Sequence, residues 1–173
     1  MDFSGIKAIA FDVDGVFTDG GILCDLQGEL FRTFDAKDGF AVRMAVMHGY
    51  PCAVITGGRS KSILERFRTV GMKDEDIYLG CRIKSEQLED FCRRHSLSFD
   101  EVLFIGDDIP DIPALEVCGI AYCPADAVPE VKAVCDVVSS CRGGRGCVRE
   151  AVEAVMKAHG DWTFDPKLYK RMF

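Results

Sequence analysis

The sequence predicts an α/β protein built on a doubly wound, mainly parallel sheet. Two observations carry that expectation. Short β-branched runs alternate with stretches of helical periodicity along the chain, a rhythm that belongs to strands joined by crossover helices. The runs are also continuously apolar, as in "AVIT" and "EVLFIG", which is how strands read when helices cover both faces of the sheet. At 173 residues the chain is one ordinary domain, and folding at this length buries roughly 70% of the unfolded surface.

The elements follow in order. Ile6–Asp12 is the first strand. Between Val16 and Phe34 the rhythm breaks: "GILC" and "ELFRTF" flank the turn-like "DLQG", which reads as a β-hairpin (16–34) too small to fold alone. Phe40–Gly49 is a helix, Cys52–Thr56 a strand, Lys61–Val70 a helix, Ile77–Leu79 a short strand and Lys84–His95 a helix. A strand at Glu101–Ile105, a helix around Ala114–Cys118 and strands at Ile120–Tyr122 and Asp136–Val138 come next. The helix Val148–His159 closes a single domain, 1–159, and 160–173 is a C-terminal tail with aromatic residues and a basic patch, either frayed or docked on a neighbouring surface.

Composition narrows the function classes. With 48% hydrophobic and 28% charged residues, the chain is of globular type. No apolar run approaches the roughly 20 residues of a membrane span, and the N-terminus lacks a secretory pattern, so a cytoplasmic protein without membrane contact is expected. A net charge of −7 argues against nucleic acid as a partner. The nine cysteines include no CxxC pair and sit mostly in apolar company, as reduced, buried thiols do.

Chemistry gathers at the strand ends. In open parallel sheets, ligands bind beyond the carboxyl ends of the strands. Here those ends carry Asp12 and Asp14, then Thr56, the neighbourhood of Lys84, and "GDD" at Gly106–Asp108. Residues i and i+2 of an extended chain face the same way, so Asp12 and Asp14 can address one substrate while Gly15 turns the chain away. Asp12, Asp14 and Asp107, with Asp108 and Asp111 as secondary candidates, crowd carboxylates that cannot all stay ionised without a cation. Mg²⁺ with oxygen ligands resolves this. With Lys84 and the hydroxyl of Thr56, the set reads as phosphoryl transfer through an aspartyl-phosphate. Asp12 must be ionised to attack. Asp14, in a less cationic position, must carry a proton to the leaving group. The loop "CRGGRGC" is either mobile or an anion cradle.

These residues resemble the haloacid dehalogenase superfamily: "DVDGV" as its first motif, "TGG" as its second, Lys84 as its third and "GDDIPD" as its fourth. The intervals between motifs leave no room for a cap domain, which is similar to the capless group, where a hairpin follows the first motif and four subunits cap one another. The resemblance implies a Rossmann-like fold and a Mg²⁺-dependent phosphatase. The strings "FDAKDGFAVR" and "RGGRGCVRE" agree with members acting on an eight-carbon sugar acid phosphate, 3-deoxy-D-manno-octulosonate 8-phosphate, in lipopolysaccharide precursor synthesis.

By position, the resemblance makes Asp12 nucleophile and metal ligand, Asp14 acid/base with its carbonyl on the metal, and Asp107 a further ligand. Asp35, Ala36, Lys37, Asp38, Gly39, Arg43, Gly57, Gly58, Arg59, Arg66 and Lys84 fall where members contact substrate. Gly58 stands where many members carry arginine, and Arg59 follows it. The resemblance also implies a homotetramer with paired hairpins and a tail reaching a neighbour's site. Three alternatives stand beside this reading: a nine-carbon, sialic-acid-type substrate, a phospho-accepting receiver, and an inactive scaffold.

Overall fold

Strand order in the computed structural model, which describes residues 1–171, runs β5-β4-β1-β6-β7-β8, with every neighbouring pair parallel. The strands are β1 (Ala8–Phe11), β4 (Cys52–Ile55), β5 (Ile77–Tyr78), β6 (Val102–Ile105), β7 (Ile120–Cys123) and β8 (Val137–Val138). The antiparallel hairpin β2 (Leu23–Cys24) and β3 (Leu30–Phe31) stands apart. The helices are α1 (Ala36–Met47), α2 (Lys61–Arg68), α3 (Lys84–His95), α4 (Ile112–Leu115), α5 (Pro129–Val134), α6 (Cys147–Ala158) and α7 (Pro166–Arg171).

Strand periodicity divides the core in two. Ile9 and Phe11 of β1 point into a cluster with Ile63 and Phe67 of α2, Ala41 of α1 and Val152 of α6. Ala8 and Ala10 point the other way, towards Leu88 and Phe91 of α3 and Val131 of α5. Central β1 is fully buried on both faces, so its carboxyl end is rigidly placed. That is what positions the site. Among the described residues only the hairpin separates β1 from α1, and only α2 and a 3₁₀ turn separate β4 from β5, so no cap domain is inserted.

Several boundaries differ from the sequence reading. The helix expected at Phe40–Gly49 begins at Ala36, because the Asp35 side chain accepts from the N–H groups of Lys37 and Asp38 and caps it. The helix expected at Ala114–Cys118 is a single turn, Ile112–Leu115, preceded by a 3₁₀ turn at Ile109–Asp111. The helix α5 was not foreseen.

The hairpin and tail complete the chain. Asp25 Oδ1 accepts from the N–H groups of Gln27 and Glu29 to make the hairpin turn. The tail packs on its own chain: Tyr50 donates to Asp161 at 2.7 Å, and Phe164 and Tyr169 meet Phe40. Residues 172 and 173, the end of the expected tail, lie outside the described residues. All nine cysteines are free.

Candidate active site

The carboxyl ends of β1, β4 and β6 meet at a cavity of about 530 Å³ whose walls include Asp12, Asp14, Thr56, Lys84, Asp107 and Asp111. A larger cavity, about 740 Å³, lies beside α6 among Lys37, Arg145, Arg149 and Glu153. Size does not decide between them. The smaller one is the candidate site because it holds the converging carboxylates and a buried lysine.

Each acid is held by backbone it can hardly leave. Asp12 extends β1 by one residue, its N–H donating to Ile105 at 2.9 Å. Lys84 opens α3 and is only 4% exposed. Its Nζ lies 2.7 Å from Asp12 Oδ1, an ion pair that falls short of an aligned hydrogen bond, and it donates to Asp111 Oδ1. The other Asp111 oxygen accepts from the N–H groups of Asp107 (2.8 Å) and Asp108 (3.2 Å), which shapes the loop after β6. Asp111 is thus a buried member of the site rather than a surface acid at a helix start. Asp108 instead caps the 3₁₀ turn through Ile109 N–H, while still lining the cavity. Gly15, at φ +83°, sits over Asp107; a Cβ there would come within 1.9 Å of Asp107 Oδ2.

Crowding shows in the proton affinities. Burial, then the charge of Asp111, pushes Asp12 up to about 7 despite the opposing pull of Lys84. Burial, then Asp12 and Asp111, pushes Asp107 up to about 8. The same carboxylates raise Lys84 against its own burial.

One expectation is reversed. Asp14 does not lie in a less cationic position: Arg32, one residue past β3, donates Nε to Asp14 Oδ1 at 2.6 Å and Nη2 to Oδ2 at 2.9 Å. Arg32 is raised by that pairing. The sequence reading missed Arg32 because its partner lies 18 residues away across a turn. The available signal was a lone cation on a short hairpin that follows directly on an acidic pair.

At the β4 end, Thr56 is 1% exposed and its Oγ1 accepts from Gly58 N–H at 3.1 Å, which leaves the hydroxyl proton for a ligand. Gly57 and Gly58 line the cavity with backbone alone. Arg59 does not join them; its side chain lies across Gly80.

The other expected substrate contacts are elsewhere in the chain. Asp35 caps α1, and Lys37 lines the cavity beside α6. Ala36, Gly39, Arg43 and Arg66 border a separate cavity of about 220 Å³. Asp38 is a correction: it is fully buried and accepts from Gly146 N–H at 3.1 Å and Arg149 N–H at 2.8 Å, so its carboxylate anchors the start of α6. The glycine loop packs on its own chain, while Arg145 and Arg149 beside it line the larger cavity. Gly144 donates to Val16 O, and a Cβ on Gly143 would strike Gly15 O at 1.8 Å, so the loop buttresses the turn after Asp14.

Asp12, Asp107 and Asp111 each offer an oxygen within 4.8 Å of the others. Asp107 Oδ1 is buried without a hydrogen-bond partner. An all-oxygen donor set with an orphaned carboxylate oxygen fits a hard divalent cation. Asp12 and Asp107 are thus joined by Asp111, a secondary candidate, while the expected contact from Asp14 is its backbone carbonyl rather than its side chain.

A pH dependence follows. Asp12 and Asp107 have folded-state values above the roughly 4 of an unfolded aspartate, so the folded chain binds more protons between about pH 4 and pH 8. Without metal, stability therefore falls as pH rises through that window. Thermal melts in chelator should show this decline, and Mg²⁺ should raise the midpoint more at about pH 8 than at about pH 5. A Mg²⁺ shift independent of pH would contradict the assignment.

Comparison with known proteins agrees with this geometry. The profile of the haloacid dehalogenase-like hydrolase family matches residues 76–148. The chain is 34% identical to 3-deoxy-D-manno-octulosonate 8-phosphate phosphatase of Haemophilus influenzae, over 90% of this chain and 85% of the relative. Identity to the Escherichia coli K12 protein of the same name is 33%, over 90% and 81%. The crystal structure of the Yersinia pestis phosphatase superposes with a TM-score of 0.89 at 31% identity, covering 92% of this chain and 85% of that one. The Moraxella catarrhalis phosphatase, solved with magnesium ion, phosphate ion and KDO, gives 0.86 at 29% identity, covering 91% and 89%. Fold, site and likeness to these enzymes agree that the chain belongs to the haloacid dehalogenase-like hydrolase family.

Proposed function

We propose that this chain is a Mg²⁺-dependent phosphatase that hydrolyses 3-deoxy-D-manno-octulosonate 8-phosphate to the free sugar acid and inorganic phosphate. The reaction rests on one observation: Asp12, Lys84, Asp107 and Asp111 converge on the cavity that Asp14 and Thr56 also line. The substrate rests on the relatives, whose name states it and one of which was solved with magnesium, phosphate and KDO.

In this reading the Asp12 carboxylate attacks phosphorus, and the sugar alkoxide leaves with a proton from Asp14. Water then attacks the aspartyl-phosphate, gives its proton to Asp14, and returns Asp12 as a carboxylate. Lys84 balances the charge on Asp12 and orients it. The Thr56 hydroxyl donates to a phosphoryl oxygen, beside the backbone of Gly57 and Gly58. Asp12, Asp107 and the Asp14 carbonyl, with Asp111 adjacent, would hold Mg²⁺, which would neutralise the charge of the acids and the phosphoryl oxygens.

We read the assembly as a homotetramer. Ile22, Leu23, Leu26 and Phe31 are exposed on the hairpin, Leu26 completely, a surface that pairing with sister hairpins covers. Arg43, Arg66, Asp35, Ala36, Lys37 and Gly39 lie outside the cavity of their own chain, and in such an assembly we read them as serving a neighbour's substrate; Asp38, buried at the start of α6, and Arg59 are left without that role. The domain is 1–159, with 160–173 an appended tail. No helix among the described residues is long and apolar enough to cross a membrane, in keeping with a cytoplasmic enzyme.

A phosphate-release assay with Mg²⁺ over sugar acid phosphates of eight and nine carbons tests this. The eight-carbon ester should give the highest kcat/KM, and chelator should abolish it. Preference for the nine-carbon ester would overturn the substrate, and release unaffected by chelator would overturn the metal.

A further inference from the structure

We propose that Arg32 is a positioning residue for the second half of the reaction: its guanidinium fixes the Asp14 carboxylate as the base that takes a proton from the water attacking phospho-Asp12. The inference rests on the function proposed above and extends it to a residue of the hairpin.

Burial makes the pairing obligatory. The Arg32 side chain is 1% exposed, although much of the surrounding hairpin faces solvent. A guanidinium withdrawn from water that far is stable only against a fixed counter-charge. Asp14 meets it with both oxygens, at 2.6 and 2.9 Å, in the two-pronged geometry that sets the plane of the carboxylate as well as its place. One prong per oxygen leaves the remaining lone pairs free, and Asp14 keeps 29% of its side chain exposed where it lines the cavity.

The fork is itself held. Arg32 Nη1 reaches Leu30 O at 3.5 Å, and Ser60 Oγ donates to the same oxygen at 3.2 Å, tying this arm of the hairpin to the loop after β4. Gly58 makes the space: a Cβ there would lie 3.3 Å from Arg32 Nη2 and 2.7 Å from Ile63 Cδ1. Hairpin, motif loop and acid are therefore one unit, and a carboxylate so fixed needs no reorientation when water arrives.

The two half-reactions use this differently. In the first, Asp14 must give a proton to the leaving oxygen, and an adjacent guanidinium does not help it do so. In the second, water forms a bond to phosphorus, its proton passes to Asp14, and the bond from phosphorus to the Asp12 oxygen breaks. The electron pair returns to Asp12 and inorganic phosphate departs. An oriented, anionic Asp14 is what that step needs, and the proton it gains serves the next leaving group.

p-Nitrophenyl phosphate with Mg²⁺ separates the halves, because nitrophenolate leaves without a proton. In acid-quenched rapid-mixing experiments, Arg32→Gln should slow the departure of phosphate from the enzyme about tenfold or more, while its arrival slows much less. The variant should accumulate phosphoenzyme where the parent does not. Arg32→Lys, with charge but a single prong, should recover part of the rate; if Arg32→Gln fails to fold, Arg32→Lys alone should still show the selective slowing. Equal slowing of both halves would reduce Arg32 to a structural role, and no slowing would remove any role; either overturns the inference. Absence of turnover in the parent chain would instead overturn the function on which it rests.

Discussion

Asp12→Asn should abolish phosphatase turnover, lowering kcat by about 10⁴-fold or more, the scale seen when a covalent nucleophile is removed. The amide keeps the size of the side chain and loses both the attacking oxygen and the charge that faces Lys84 at 2.7 Å. Loss of fold is not the cause expected. Asp12, Asp107 and Asp111 repel one another at the end of β1, and burial adds to the cost of charging them. Neutralising one should leave the metal-free protein at least as stable as the parent at about pH 8, and should weaken its response to Mg²⁺. A melt and an activity assay on the same sample check both. An active Asp12→Asn protein, or an inactive one that is unfolded, would count against the role given to Asp12.

Asp14→Asn has the second largest expected effect, and its signature differs. General acid–base catalysis contributes about 10²–10⁴-fold, so kcat/KM on the sugar ester should fall by that factor. On p-nitrophenyl phosphate the first half-reaction should be far less affected, and phosphoenzyme should accumulate. The variant also leaves Arg32 buried against an amide, losing roughly 2 kcal/mol of charge-assisted hydrogen bonding. Comparing the two substrates separates this from simple destabilisation, which would lower both alike.

What the sequence reveals, and what it hides, follows from the range of the interactions. The strands β1, β4 and β6 were legible because burial on both faces leaves an unbroken apolar run. The candidate set was legible because it sits at those strand ends, and Asp12, Asp14, Thr56, Lys84 and Asp107 line one cavity. The helix α5, six residues starting at proline, is too short to establish a period. The first turn of α1 was hidden behind "AKDG", which reads as loop until Asp35 is seen to cap it. Asp38 was placed at the substrate by resemblance alone; its partners here, Gly146 and Arg149, lie more than a hundred residues away. Arg32 and the packing of Gly143 on Gly15 depend equally on tertiary approach. For Arg32 the one local signal was its place as the lone cation of the hairpin; the other contacts leave none.

The hairpin joins the two proposals made above. Its exposed apolar side is the surface proposed to pair with sister subunits, and its returning arm carries Arg32 to Asp14.

The account stands most directly on where phosphorus is held during turnover. Protein quenched in acid during turnover of the eight-carbon ester, then digested and mapped by mass spectrometry, should carry a phosphoryl group on the peptide containing Asp12, and on that residue alone. The Asp12→Asn protein should carry none. A phosphoryl group on any other side chain, or steady turnover by the Asp12→Asn protein, would contradict it.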